Sequence, residues 1–245
     1  MRILVIKLGA FGDICLSLGM FEHIRAHHPQ AEITLLTTPP FAGLCRQNPA
    51  FDHVETIERW RVLQPTAWLG YRRAMQAKPF DLVYDLQSND RTRWLRWLSP
   101  KKMRSVWIDV RKALSPSIRG AIDLSTLGLP LPTRLDWLRG DTTRFDLPAR
   151  FVLLVPGSAP QHPGKRWPAS HYGELAQRIS AAGCVPVLIG TENESSVINI
   201  IKAACPSALS LAGQTSFHEI AALAGRAVAA VGNDTGPMHL ISICG

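Results

Sequence analysis

Short apolar, strand-like runs alternate with helical patterns along the whole chain, and this alternation limits the fold more than any other feature. Residues 2–6 and 32–37 are apolar and rich in β-branched side chains, and apolar residues recur at helical spacing between them, over 14–24. Such alternation predicts parallel-sheet α/β domains. In these folds ligands bind beyond the carboxyl ends of the strands, where the connecting loops gather.

The rest of the chain continues the pattern. Further strands are predicted at 54–57, 81–86, 105–108, 151–155, 185–189 and 227–231. Helices are predicted at 91–98, 171–182, 194–204 and 216–224, and from Pro237 onward. Ser216 followed by Glu219 forms a capping box at the start of one of them. A polar stretch at 139–150 predicts the junction between two domains.

Composition excludes several classes of protein. With 46% hydrophobic and 19% charged residues the chain is not intrinsically disordered. It has no uncharged apolar stretch of about 18 residues, so no transmembrane helix is predicted, and no signal peptide is recognisable. The five cysteines are scattered without a C-x-x-C pair, which indicates a reduced, cytoplasmic compartment and no structural zinc.

The net charge of +8 lies entirely in residues 1–140, and it is concentrated in 91–119. That segment holds nine Lys and Arg residues, interleaved Trp residues, and Asp109 as its only acid. Such a patch should attract a nucleic acid, an anionic membrane face or a phosphorylated substrate. A solvated helix face is the simpler alternative. No nucleic-acid-binding motif accompanies the charge.

Two motifs follow strands of the first half. In KLGAFGD, Gly9 and Gly12 allow a ligand to approach the backbone, although the G-x-G-x-x-G fingerprint is absent. Asp13 is open to two interpretations, an N-cap or a carboxylate that accepts a proton from an attacking hydroxyl. Gln87, with Asp85, ends the strand predicted at 81–86 and suits hydrogen bonding either to a substrate or to the loop backbone.

Two more motifs follow strands of the second half. The loop PGSAPQHPGKRWP lacks the spacing and the Ser/Thr of a P-loop, so Lys165 is either a phosphate clamp or an ordinary surface cation. In GNDTGPMH, Pro237 suits the first position of a helix. The backbone around Thr235 and Gly236 would then form an anion site at the helix N-terminus, with His239 in reach of a phosphate or sugar oxygen. A capped helix without a ligand is the alternative.

Taken in order, these motifs resemble the heptosyltransferases of bacterial lipopolysaccharide synthesis, glycosyltransferase family 9. The segments that carry the resemblance are RILVIKLGAFGDICLSL, DLVYDLQ, LLVPGSA, KRWP, HYGELA, VLIGTENE, LAGQTSFHEIAAL and VGNDTGPMHL. The resemblance implies an α/β fold of the GT-B type, with two Rossmann-like domains whose parallel sheets face across a cleft. Residues 1–145 would bind the acceptor and residues 146–245 the nucleotide-sugar donor. Family members continue past the equivalent of Gly245, so the second domain is expected to be truncated.

The resemblance also implies a function. It predicts an inverting, metal-independent glycosyltransferase that moves a heptose from ADP-heptose to the lipopolysaccharide inner core, without a cofactor. The acceptor would be a phosphorylated, anionic glycolipid of the lipid A–Kdo type, and no nucleic acid would bind. The enzyme would be cytoplasmic and peripheral to the inner membrane. The alternative is a non-catalytic, truncated GT-B chain that binds nucleotide or anionic glycolipid.

Site residues carry over by motif. The resemblance makes Asp13 the general base. The residues predicted to bind the donor are Lys165, Glu192, Asp234, Thr235, Gly236 and His239. The residues predicted to bind the acceptor are Lys7, Gly12, Gln87, Arg91 and Arg93. No metal ligands are predicted.

Overall fold

The computed structural model divides the chain by its contacts into two compact units, Met1–Trp137 and Leu138–Gly245. It describes residues 1–58, 79–90, 92, 106–109, 135–158 and 163–245. The helix predicted at 91–98 lies outside the described residues except for Thr92, and so do Arg91 and Arg93.

The first unit is an α/β layer of parallel strands and helices. Its described elements are β1 (Arg2–Ile6), α1 (Phe11–Cys15), α2 (Leu18–His27), β2 (Glu32–Thr37), α3 (Pro39–Cys45), β3 (His53–Thr56), β4 (Leu82–Asp85) and β5 (Val106–Asp109). The strands pair in the order β3-β2-β1-β4-β5, and every pair is parallel. The chain therefore changes direction across the sheet between β1 and β4.

This change of direction positions the loops that carry the first two motifs. Ile6, the last residue of β1, pairs with Asp85, the last residue of β4. The two following loops thus leave the sheet side by side, at the kind of place where ligands bind in open α/β sheets. Behind them Leu4, Ile6 and Val83 pack in an apolar core cluster. Strands this apolar are typical of parallel sheets that are covered on both faces.

The second unit repeats the architecture. Its strands and α-helices are β6 (Phe151–Val155), α4 (Ala169–Ala181), β7 (Val185–Leu188), α5 (Ser195–Ala204), β8 (Leu209–Ser210), α6 (Phe217–Ala224), β9 (Ala229–Gly232) and α7 (Gly236–Cys244). Short 3₁₀ turns lie at Asp136–Leu138, Pro163–Lys165 and Glu192–Glu194. The parallel strand order is β8-β7-β6-β9, so the change of direction falls between β6 and β9.

The segment 138–145 joins the second unit, whereas the sequence analysis places the domain boundary after residue 145. Gly140 N–H donates to the His218 carbonyl oxygen at 3.0 Å. Arg226 Nη1 donates to Thr142 Oγ1 at 2.7 Å, and Arg144 Nε to Glu219 Oε1 at 2.6 Å. These bonds to α6 and to the turn that follows it explain why the contacts divide the chain after Trp137.

The last strand differs from its prediction. The sequence predicts a buried strand at 227–231, but β9 begins at Ala229, and the side chains of Val228 and Val231 are 56% and 37% exposed. Among the described residues β9 pairs only with β6, so it forms an edge of the sheet. The prediction of burial is therefore wrong, because an apolar run does not reveal how many neighbours a strand has.

Candidate functional site

In the first unit, the loop after β1 is fastened to the loops after β2 and β4. Leu8 N–H donates to Gln87 Oε1 at 2.9 Å, and the Leu8 carbonyl oxygen accepts from Thr38 Oγ1 at 3.0 Å. Lys7 Nζ donates to the Leu86 carbonyl oxygen at 3.2 Å. Three loops at the carboxyl ends of three strands therefore hold one another in place.

Gly9 has a backbone conformation that other residues rarely adopt. Its φ is +114°, in the region that favours glycine. A Cβ at this position would lie 2.6 Å from Phe41 Cε2, so the loop also passes directly against α3. The loop that leads to Asp13 is thus fixed by its own backbone as well as by its neighbours.

Asp13 is the third residue of α1 and is partly exposed. The cap position is held by Ala10, so the N-cap interpretation of Asp13 is wrong. The Asp13 backbone carbonyl accepts a hydrogen bond from Ser17 Oγ at 2.7 Å, which ties the short helix α1 to the residues before α2. Gly12 precedes Asp13 in the same turn. A carboxylate in the first turn of a helix lies near the positive end of its dipole.

The two predicted acceptor residues that border this loop are interior. Lys7 is 4% exposed and Gln87 is 7% exposed. The hydrogen bonds of their side chains described above go to backbone atoms of neighbouring loops. Asp85 Oδ1 accepts from the backbone N–H groups of Gln87 and Ser88, at 3.1 and 2.9 Å. The described contacts of these residues support the loops.

In the second unit, a cavity of about 300 Å³ opens at the carboxyl ends of β6, β7 and β9. It is lined by Val155, Gly157, Ser158, Ile189, Gly190, Thr191, Glu194, Thr215, Phe217, Ile220, Thr235, Gly236 and Pro237. Ile189, Phe217 and Ile220 form an apolar wall, and the rest of the lining supplies hydroxyls and one carboxylate. An apolar cavity with a few convergent polar groups is typical of small-molecule sites.

The N-terminus of α7 borders this cavity. Thr235 is its N-cap, Gly236 its first residue and Pro237 its second, one position later than predicted. Thr235 Oγ1 is buried, and among the described residues it has no hydrogen-bond partner. The first backbone N–H groups of a helix also lack partners within the helix. A buried hydroxyl and these N–H groups are hydrogen-bond donors that can bind an anion, and we call this place the anion seat.

Two predicted donor residues, Lys165 and His239, contact a third, Asp234. Lys165 Nζ bonds to Asp234 Oδ2, and His239 Nε2 lies 3.2 Å from Asp234 Oδ1. The hydrogen bond from the Lys165 ammonium is the largest influence that holds the pKa of Asp234 below its usual value. Asp234 therefore keeps the Lys165 ammonium and the His239 ring beside the start of α7.

The acidic side chain that borders the cavity is Glu194, not the predicted Glu192. Glu192 is exposed and is not part of the lining. Glu194 Oε2 accepts from Thr191 N–H at 2.7 Å and from Thr191 Oγ1 at 2.6 Å, which completes a capping box. The T-x-x-E spacing was visible in the sequence, but a capping box indicates a helix start and not a ligand.

The described parts of the chain contain neither a metal-binding cluster nor a membrane-spanning helix. In those parts, no three His, Cys, Asp or Glu side chains are grouped so that they could hold a metal ion. None of the helices described there has the length and apolarity needed to cross a membrane.

Comparisons with known proteins agree on a family. Residues 131–242 match the model of glycosyltransferase family 9 (heptosyltransferase). Lipopolysaccharide heptosyltransferase 2 of Escherichia coli K12 is 24% identical over 279 residues, which cover 98% of this chain and 79% of that protein. Lipooligosaccharide heptosyltransferase 2 of Haemophilus influenzae is 36% identical over 83 residues, which are 32% of this chain and 24% of that protein.

A solved structure shows the same fold. The E. coli heptosyltransferase WaaC with ADP-2-deoxy-2-fluoro heptose matches with a TM-score of 0.73 at 20% identity, over 100% of this chain and 86% of that one. The two parallel α/β units thus have the GT-B type of fold. The chain is therefore similar to glycosyltransferase family 9 over residues 131–242, and to a heptosyltransferase over nearly its full length. The predicted family and fold class are confirmed, and the predicted enzyme class is confirmed at the level of the family. The roles of individual site residues stay predictions.

Proposed function

We propose that this chain transfers a heptose from ADP-heptose to the inner core of lipopolysaccharide, with inversion at the anomeric carbon and without a metal. The observation that carries the proposal is the cavity of the second unit, which has an anion seat at the start of α7. The similarity to heptosyltransferases supports the choice of sugar and of pathway. The WaaC structure was solved with an analogue of this donor, which supports the choice of nucleotide.

The donor's nucleotide fits the chemistry of the cavity. Its apolar wall of Ile189, Phe217 and Ile220 suits the faces of a purine. The Glu194 carboxylate suits the ribose hydroxyls, and we assign it this role in place of the predicted Glu192 because only Glu194 lines the cavity. The diphosphate would accept hydrogen bonds from Thr235 Oγ1 and from N–H groups at the start of α7.

The leaving group would be stabilised by the side chains of Lys165 and His239, which both contact Asp234. As the bond between the anomeric carbon and the phosphate oxygen breaks, negative charge grows on ADP. Lys165 and His239 would meet that charge, Lys165 by exchanging Asp234 for a phosphate oxygen. Fixed donors aimed at developing charge are usually the largest single contribution to catalysis. This set of groups makes a metal or another cofactor unnecessary in the proposed reaction.

Asp13 is the proposed general base. Its carboxylate takes the proton of the acceptor hydroxyl as the oxygen attacks the anomeric carbon and ADP departs from the opposite face. A single displacement of this kind inverts the configuration. Lys7 and Gln87 would hold the loop that leads to Asp13, which revises their predicted role as direct acceptor contacts.

The acceptor is proposed to be a phosphorylated, anionic glycolipid of the lipid A–Kdo type, bound with the help of Gly12, Arg91 and Arg93. The basic sequence segment 91–119 would also attract the anionic cytoplasmic face of the inner membrane. The proposed setting is therefore the cytoplasm, with peripheral contact to that membrane and no nucleic-acid partner.

The proposal is tested by ADP release from ADP-heptose in the presence of a lipid A–Kdo acceptor. We expect Asp13→Asn to lower the rate by about 100-fold or more while ADP affinity stays the same. Asp146→Asn, at an exposed position, is the matched control and should retain the parent rate. Absence of acceptor-dependent ADP release from the parent chain would overturn the proposed activity. Equal rates for the parent and Asp13→Asn would remove Asp13 as the base.

A further inference from the structure

The side-chain amide of Asn233 is buried and fully hydrogen-bonded. Its Oδ1 accepts from Trp167 N–H at 3.0 Å and from Tyr172 OH at 3.1 Å. Its Nδ2 donates to the carbonyl oxygens of Pro156 and Gly157, at 2.7 and 3.2 Å. An amide offers two donors and two acceptor lone pairs, so the site uses all of its capacity.

Three of these four bonds connect the three loops that carry the proposed donor site, and the fourth, from Tyr172 OH, connects Asn233 to α4. Residues 156–158 follow β6 and supply part of the cavity lining. Residues 163–168 carry Lys165, two positions before the bonded Trp167 N–H. Residues 233–236 lead from β9 into α7 and carry the anion seat. Asn233 lies where they meet, at the change of direction between β6 and β9.

The Asn233 side chain is 6% exposed and is not part of the cavity lining. Any effect on a ligand must therefore pass through the loops that it holds. Three of the four groups that it binds are backbone atoms, and the fourth is the Tyr172 hydroxyl. Trp167 packs edge-on against Tyr172, with ring centroids 4.8 Å apart, so the loop that carries Lys165 is also held by aromatic contact.

We propose that Asn233 is a positioning residue. It holds the three loops in fixed relative positions, so that Lys165 and the start of α7 can bind the same diphosphate. The ligand class rests on the proposed function, whereas the loop-fixing role does not. An amide is required here because only an amide combines two acceptor sites and two donors in this planar geometry. A carboxylate would keep the bonds to Trp167 and Tyr172 but would face the two carbonyl oxygens without a proton.

This difference between amide and carboxylate gives a test that needs no substrate. Hydrogen exchange is measured at about pH 8, where the introduced carboxyl is ionised, by mass spectrometry of peptides that cover 163–168 and the turn after β6. Asn233→Ala should increase the rate of hydrogen exchange in both segments. Asn233→Asp should increase the rate of exchange in the turn after β6, while Trp167 N–H stays protected. Uniform protection in both variants would overturn the loop-fixing role.

Ligand measurements then separate positioning from simple loss of stability. We expect Asn233→Ala to weaken ADP binding and raise the KM for the donor by about tenfold or more, with a smaller change in the KM for the acceptor. A merely destabilised protein would lose kcat through its unfolded fraction and keep both KM values. Asn193→Ala, an exposed asparagine in the turn Glu192–Glu194, is the matched control and should bind ADP as the parent does.

The outcomes of the two proposals are distinguishable. If the parent chain does not bind ADP, the proposed function fails, and the exchange experiment still decides the role of Asn233. If the parent binds ADP and Asn233→Ala binds it equally well, with unchanged KM values, the positioning role is wrong. A partial result is expected from Tyr172→Phe, which removes one of the four bonds and leaves the other three.

Discussion

Some polar residues near the cavity bind neighbouring side chains and also have a role in the proposed reaction. Asp234 is the clearest case, because it binds the two side chains, Lys165 and His239, that the donor diphosphate would need. The negative charge of Asp234 would repel a diphosphate bound at the start of α7 unless a positive charge, such as the Lys165 ammonium, offset it. In the proposed reaction the diphosphate replaces Asp234 as a partner of Lys165, so the clamp is positioned before the ligand arrives.

Lys165 gives a direct prediction at this scale. Lys165→Met removes the ammonium and keeps much of the aliphatic length, so we expect kcat/KM for the donor to fall by about 100-fold. The measurement is steady-state ADP release. Lys202→Met, on the exposed side of α5, is the control and should leave kcat/KM unchanged. A decrease smaller than about threefold for Lys165→Met would contradict the clamp.

The sequence predicted the types of these residues better than their contacts. The pattern around Asp234 predicted a helix start, and α7 begins there, whereas the predicted anion site stays a prediction. The pairing of Lys165 with Asp234 joins residues far apart in the chain, and no local pattern encodes it. Likewise Glu192 and Glu194 differ by two positions in one turn, and only the fold decides which of them borders the cavity.

At the scale of elements, the start of α6 was predicted correctly. Ser216 caps α6 as expected, with Ser216 Oγ accepting from Glu219 N–H at 3.3 Å and Glu219 Oε2 accepting from Ser216 N–H at 2.8 Å. By contrast α3 was not predicted, because Pro39 and Pro40 open it and prolines usually indicate a loop. The two-residue strand β8 is too short to produce any alternation.

The capping box of α6 predicts a stability change. Ser216→Ala should lower the free energy of unfolding by about 1 kcal/mol, because it leaves a helix N–H without its partner. Urea denaturation measures the change. Ser196→Ala, at an exposed position near the start of α5, is the control, and an equal loss in both variants would contradict a specific role of the cap.

Acid should weaken the same helix start. The hydrogen bond from the Arg144 guanidinium is the largest influence that lowers the pKa of Glu219, from 4.5 to about 2. Because the pKa of Glu219 is lower in the folded chain than its usual value, the ionised carboxylate stabilises the folded state. This stabilisation is complete above about pH 4.5 and is lost as the pH falls toward about 2.

Hydrogen exchange of the α6 amides provides the measurement. We expect their protection to decrease over this pH range in the parent chain and to depend less on pH in Glu219→Gln, which has no carboxyl to titrate. Identical pH dependence in the two proteins would show that Glu219 does not control this region.

For the whole molecule, the alternation of strands and helices predicted two parallel α/β units, and the structure confirms their class. What the alternation could not predict is which strand lies at an edge. It also could not predict which side chains bridge loops from different strands, as Asn233 and Gln87 do. Both depend on packing between distant parts of the chain, which local periodicity does not record.

The proposed reaction should not depend on a divalent metal ion. The proposed mechanism relies on Lys165, His239 and backbone N–H groups for the leaving group, so turnover should be unchanged by excess EDTA. The same assay with added Mg²⁺ or Mn²⁺ is the control. Loss of activity in EDTA that is restored by either ion would contradict metal-independent transfer.

The central claim is that heptose passes in one displacement from ADP-heptose to a glycolipid. The most direct measurement is the mass and the NMR anomeric configuration of the product formed from ADP-heptose and a lipid A–Kdo acceptor. We predict a product heavier by one heptose residue, linked with the configuration opposite to that in the donor. A product with retained configuration, or no glycolipid product under conditions where the chain binds ADP, would contradict the account.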